Sequence, residues 1–137
     1  MSTDENEAVV RRFYDELWNR WGLEVADEVV SETVEFRGSL GKWARGRNAF
    51  KAYVEALRRA FPDWRNEIDE MVAAGDRVAV RMTWSGTHEG TIDGIEPTGA
   101  RVEYCGAAFF LIKSGVIEKA WVVGDTNAFW QTLREAC

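Results

Sequence analysis

Residues 101–125 read RVEYCGAAFFLIKSGVIEKAWVVGD, and the way this run is parsed decides the fold. Residues 101–113 form a long extended segment with a nearly continuous apolar end, and Ser114-Gly115 then makes a tight turn into a last strand over 116–123. Two strands joined so tightly pair antiparallel, because a parallel partner needs a long crossover. Upstream the same period of two continues. Trp64, Asn66 and Ile68 alternate with charged residues up to a turn at Gly75-Asp76, and Val78, Val80, Met82 and Trp84 then share one face of a strand. A glycine-punctuated loop over 86–99 links this pair to the long strand.

Before Pro62 the period is helical. Val9, Val10, Phe13, Tyr14, Leu17, Trp18 and Trp21 recur at three and four residues, predicting a helix over 5–21 that ends at Gly22. A short helix over 23–31, a β-like segment over 33–37 and a loop, GSLGKWARG, follow. A second amphipathic helix over 47–61 carries Phe50, Tyr53, Val54, Leu57 and Phe61 and stops at Pro62. A short helix over 127–135 closes the chain. Helices first and an antiparallel meander after them, without strand–helix–strand alternation, give an α+β fold. Its helices pack on one face of a strongly curved sheet, leaving a conical hollow suited to a small molecule.

The totals narrow the function. At 137 residues, 46% of them hydrophobic and 7 of them Trp, the chain reads as one globular domain over 1–137. A net charge of -6 with scattered basic residues offers no positive face to nucleic acid. No apolar run approaches the ~18 residues that span a bilayer, and the acidic start MSTDENE is unlike a signal peptide, so a soluble cytoplasmic protein without membrane attachment is expected. Cys105, in an apolar run, and Cys137, at the end, read as free thiols. With His88 the single histidine, no metal site is expected, and no nucleophile elbow or phosphate-binding glycine loop occurs.

Asp125 is the residue with most chemistry in it. It lies two and four residues beyond Val123 and Trp121, so strand parity puts all three on one face. If that face lines the hollow, desolvation would suit the carboxylate to proton transfer; an aspartate just before a helix is equally an N-cap. His88, in GTHEG, is a proton carrier, a donor to a ligand or a loop histidine bonded to backbone. Tyr14, Trp18, Trp64, Trp84 and Tyr104 offer donors and stacking surfaces, or are plain core. Arg37 offers a fixed positive charge or is a solvated surface residue.

Several segments together resemble the SnoaL-like polyketide cyclase family of the nuclear transport factor 2-like and ketosteroid isomerase-like superfamily. They are VVRRFYDELWNR, GRNAFKAYVEALRRAFPDW, GDRVAVRMTWSGTHEGTIDGIEPTGARVEY and GVIEKAWVVGD. The resemblance implies a cone-shaped α+β barrel, a homodimer formed through the sheet, and chemistry without a cofactor on a hydrophobic or aromatic small molecule. It assigns Asp125 the role of general acid/base in an intramolecular aldol closure, with Trp121 as the tryptophan of the W-x-x-x-D motif and with Tyr14, Trp18 and His88 at commonly shared positions. Arg37 stands where relatives often have a histidine, and Lys119-Ala120 where they often have Glu-His. Two other functions stay open: an isomerase or epoxide hydrolase, the latter needing two carboxylates around Arg37, and a non-catalytic domain that shelters an aromatic ligand.

Overall fold

The computed structural model describes residues 2–136. Helix α1 (Thr3–Arg12) starts in a capping box in which the Ser2 hydroxyl accepts from the Glu5 amide and the Glu5 carboxylate accepts from the Ser2 amide. It widens into a π-helical turn, Phe13–Trp18, closed by the Asn19 amide donating to the Tyr14 carbonyl at 2.8 Å. Phe13, Tyr14, Leu17 and Trp18 are all buried on this turn. A 3-10 turn (Leu23–Val25) and the short α2 (Ala26–Val29) lead into β1 (Val30–Arg37), and β2 (Trp43–Arg45) precedes α3 (Arg47–Ala60). Strands β3 (Arg65–Ala74), β4 (Arg77–Thr87), β5 (Arg101–Lys113) and β6 (Val116–Gly124) form the meander, and α4 (Thr126–Ala136) ends the chain. No helix among the described residues is long and apolar enough to cross a membrane.

The six strands make one sheet in the order β2-β1-β6-β5-β4-β3. Every pairing is antiparallel except β1 with β6. Register breaks at Val30/Glu35, Ile68/Glu70 and Leu111/Ile112 bend the strands, so the sheet curls over α1 and α3 while β2 and β3 remain open edges. At Gly106, opposite Gly124, a Cβ would collide with the Val123 carbonyl and the Trp84 ring; glycine lets β5 and β6 close over that indole.

The α+β architecture and the helix-then-meander order agree with the sequence reading. Three details differ. The first strand begins at Val30, because Ser31 and Val34 already lie buried in it. The glycine loop contains β2, held by register pairs from Glu35↔Arg45 to Arg37↔Trp43. Cys105 is exposed rather than in the core, because on β5 the even positions Val102, Tyr104, Ala108 and Phe110 face inward. Cys137 lies outside the described residues. The core is an aromatic lattice: Phe13 meets Phe50 at 5.6 Å and Phe110 at 5.5 Å, and Tyr14 meets Phe110 at 6.0 Å, tying helix to sheet.

Candidate functional site

Between the π-helical turn and the concave side of the sheet lies a cavity of about 30 Å³. Phe13, Tyr14 and Trp18 form its helical wall, and Tyr53 and Leu57 of α3 close one side. The strands contribute Phe36, Trp64, Asn66, Trp84, Tyr104 and Val122, and Phe129 of α4 seals the base. The tip joining β1 to β2, with Gly38, Ser39 and Leu40, covers the top. The rings are set edge to face: Trp18 to Tyr53 at 6.2 Å, Phe36 to Tyr53 at 5.1 Å, and Tyr104 to Phe129 at 5.3 Å.

The polar groups here are neutral. The Tyr104 hydroxyl and the Ser39 hydroxyl share a 2.7 Å hydrogen bond. A Cβ at Gly38 would land on the Tyr53 hydroxyl, so only glycine lets that phenol nest against the β1–β2 tip. Neither the Tyr14 nor the Tyr53 hydroxyl has a hydrogen-bond partner among the described residues. The Trp18 Nε1–H is buried without one. Asn66 Nδ2 donates to Asn19 Oδ1, which also accepts from the Asn66 amide, fixing the carboxamide in the wall. No carboxylate lines the cavity among the described residues. Burial therefore acts unopposed on Tyr14 and Tyr53. It drives Tyr14 far above the ordinary phenol range, with Tyr53 beside it adding to the effect, and pushes Tyr53 up to about 12. Tyr104 also rises, chiefly by burial, against the opposing hydrogen bond to Ser39.

Of the residues singled out in the sequence, Tyr14, Trp18, Trp64, Trp84 and Tyr104 meet at this cavity. His88 does not line it. The ring is fully buried, 5.5 Å from Phe61, and its Nδ1 accepts from the Thr98 amide at 3.2 Å. That bond puts the proton of the neutral ring on Nε2, which is buried without a partner. Arg37 and Trp121 lie on the other side of the sheet. Trp121 and Val123 are exposed on the convex face, and the Arg37 guanidinium stacks 4.9 Å over the Trp121 ring while donating to the Val122 carbonyl at 2.7 Å. Strand β6 ends at Gly124, one residue short of Asp125, so the parity of Trp121 and Val123 does not carry through to its side chain. Asp125 is exposed, and its Oδ1 accepts from the Ala128 amide at 3.1 Å as the N-cap of α4. No carboxylate pairs with Arg37 among the described residues: Glu35 is 4.0 Å from Lys119, and Asp69 accepts from Thr83.

Tyr53, Ser39 and Asn66 were not singled out. Asn66 shares the alternation of Trp64 and Ile68, so its inward direction was visible in the sequence. Tyr53 sat in the apolar stripe of α3 with nothing to separate it from core. Ser39 depends on where the β1–β2 tip folds back, which no local pattern encodes.

A curled mixed sheet closed over helices defines an α+β protein of the cone-shaped class, and an aromatic hollow with neutral donors is the kind of place where small-molecule sites lie. The model of the SnoaL-like polyketide cyclase family matches residues 8–133, and the chain belongs to that family. A protein of Jannaschia sp. CCS1, provisionally described as a SnoaL-like polyketide cyclase, superposes with a TM-score of 0.88 at 20% identity, over 96% of this chain and 92% of that one. AclR of Streptomyces galilaeus, provisionally described as a hydroxylase, gives 0.83 at 26% identity over 98% of each chain. A provisionally described polyketide cyclase of Acidithiobacillus ferrooxidans gives 0.83 at 25% identity over the whole of both chains. Curated proteins give no match.

All 3 tyrosines of the chain are Tyr14, Tyr53 and Tyr104, and all are raised. The folded protein holds these protons more tightly than the unfolded chain. Their stabilising contribution is complete below the ordinary phenol pKa of about 10; the share of Tyr53 is lost as pH climbs through about 12, and those of Tyr14 and Tyr104 at higher pH still. Spectrophotometric titration at 295 nm should show no phenolate step near pH 10, and urea stability should fall only above that pH. A tyrosine ionising with an ordinary pKa in the native protein would contradict this packing.

Proposed function

We propose that the chain binds a hydrophobic, polyketide-like small molecule in this cavity and holds a carbonyl or enolate oxygen of it on the neutral donors Tyr14, Tyr53 and Trp18. The observation that carries this reading is the set of donors without partners, placed among aromatic rings where no carboxylate competes for them. Buried phenols that stay protonated stabilise negative charge forming on oxygen without being ionised by it. Such a site favours enolisation of a β-dicarbonyl, whose α-carbon then closes on a second carbonyl of the same chain in an aldol step.

Family membership supports Asp125 as the general acid/base of that closure, taking the α-proton and returning one to the new alkoxide. Its present position as the cap of α4 requires the carboxylate to leave the Ala128 amide and the first turn of α4 to shift before it meets a ligand. Binding without turnover is the second reading, supported by the absence of carboxylates from the lining.

A matched ligand pair tests the donors. 2-Acetylnaphthalene should quench tryptophan fluorescence with about five- to tenfold tighter binding than 2-ethylnaphthalene, which has the same shape without the oxygen; this is the scale of one net hydrogen bond. Tyr14→Phe or Tyr53→Phe should abolish most of that preference, and equal binding of the two by the native protein would contradict the reading. With a linear β-dicarbonyl substrate that is turned over, Asp125→Asn should slow closure by about 10²- to 10⁴-fold. An unchanged rate would remove Asp125 from the chemistry.

We further propose that the convex face pairs with a second copy of the chain. Register places Val72, Ala79, Phe109, Trp121, Arg37 and Trp43 in one row across all six strands. Val72, Phe109, Trp121 and Trp43 in that row are 43–59% exposed, and Val123 beside it is 41% exposed. An apolar row of this length suits a flat, self-complementary two-fold contact better than open water. Light scattering should give twice the 15.6 kDa chain mass, and Trp121→Glu should return it to one chain. A native monomer at micromolar concentration would contradict the pairing.

A further inference from the structure

The cavity is too small for any ring, yet a second hollow of about 190 Å³ lies immediately outside it. The two share Leu40, Tyr53 and Leu57 as a common wall. Leu40 sits at the tip of the β1–β2 hairpin, half-buried and packed against the core without belonging to it. What holds that tip down is specific. Inside the cavity Ser39 is bonded to the Tyr104 hydroxyl at 2.7 Å. On the outer rim Lys42 Nζ lies 2.6 Å from Asp93 Oδ1.

Asp93 is presented rigidly. Ile92 and Ile95 exchange both backbone hydrogen bonds, at 3.0 and 2.8 Å, around a two-residue Asp93-Gly94 turn with positive φ at both positions, 45° and 78°. This is the type I′ geometry that Asp-Gly favours. The hairpin tip itself is closed by the Gly38 amide donating to the Lys42 carbonyl at 2.9 Å and by Gly41, with φ 83°, donating to Gly38 at 3.0 Å. Both loops are thus preformed, and the contact between them is an exposed ion pair, with side chains 59% and 40% accessible. Such a pair is weak and screened by salt, which suits a contact made to open.

We infer that the hairpin tip 38–42 is a lid over the cavity, with Leu40 as its plug, Ser39–Tyr104 as its inner tether and Lys42–Asp93 as its outer latch. Lifting it joins the inner cavity to the outer hollow and creates a space of ligand size. Tyr104 then loses its partner, so opening adds one more free donor to Tyr14, Tyr53 and Trp18. A ligand oxygen that replaces Ser39 on Tyr104 holds the lid open, which couples access to recognition. This inference rests on the reading of the cavity as a ligand site, but the lid is testable without any ligand.

Solvent exchange of the buried Trp18 Nε1–H, followed by NMR, reads lid opening directly. Lys42→Ala and Asp93→Asn, both on the exposed rim, should each speed that exchange by about two- to fivefold, the scale of an exposed ion pair, asparagine keeping the turn that Asp93 makes. Leu40→Ala should speed it by about tenfold or more, the scale of a removed apolar plug. The charge-keeping Lys42→Arg should preserve the slow rate, and raised salt should mimic the single variants. Unchanged exchange in all three single variants would overturn the lid, as would Lys42→Arg exchanging as fast as Lys42→Ala. Stopped-flow mixing with 2-acetylnaphthalene separates this from the function: a lid with no ligand still shows the exchange pattern, whereas a ligand site with no lid binds at the same rate in every variant.

Discussion

Side-chain alternation along the β5–β6 hairpin divides the molecule into two chemistries. Even positions of β5, with Ala120 and Val122 of β6, face the helices and build the cavity, while Phe109, Trp121 and Val123 face away. Because parity has a period of two, one residue of slip would exchange the faces, carrying Tyr104 and Phe110 outward and Trp121 inward. The Ser114-Gly115 turn, with positive φ of 52° and 80°, is what fixes that register. The cavity, the aromatic bridge from Phe110 to Phe13 and Tyr14, and the outer row all follow from it.

Within the cavity the decisive property is the absence of charge. A carboxylate at this depth would be raised by desolvation and would compete for the phenol donors. Its lack leaves Tyr14, Tyr53 and Trp18 without partners, a condition that burial alone makes unfavourable. On the proposed function, those unmet donors are a reservoir of binding free energy for a ligand oxygen, and the weakly latched tip is the proposed means by which that oxygen arrives.

The fold was largely legible because its signals are local: the 3.6-residue stripes before Pro62, the alternation after it, and the Ser114-Gly115 turn. The inward direction of Tyr14, Trp18, Trp64, Trp84 and Tyr104 was legible for the same reason, but not whether they line a cavity or are plain core. The direction of Asp125 was not. Parity says that Asp125 shares a face with Trp121 but not which face, and hydrophobicity could not arbitrate, since the convex side carries its own apolar row from Val72 to Trp43. Only the packing of Ala120 and Val122 against the helices, a long-range fact, settles which face is inward, and the strand ends at Gly124, before Asp125. Ser39 and Lys42 escaped notice because their partners, Tyr104 and Asp93, lie 65 and 51 residues away.

The central claim is that an unpartnered donor in this cavity waits for a ligand oxygen, and the indole of Trp18 reports on it most directly. In a heteronuclear spectrum, with the Trp18 resonance assigned through Trp18→Phe, its Nε1–H signal should move downfield on saturation with 2-acetylnaphthalene and stay near its free position with 2-ethylnaphthalene. An indole signal that responds equally to both, or to neither while they bind, would contradict the account.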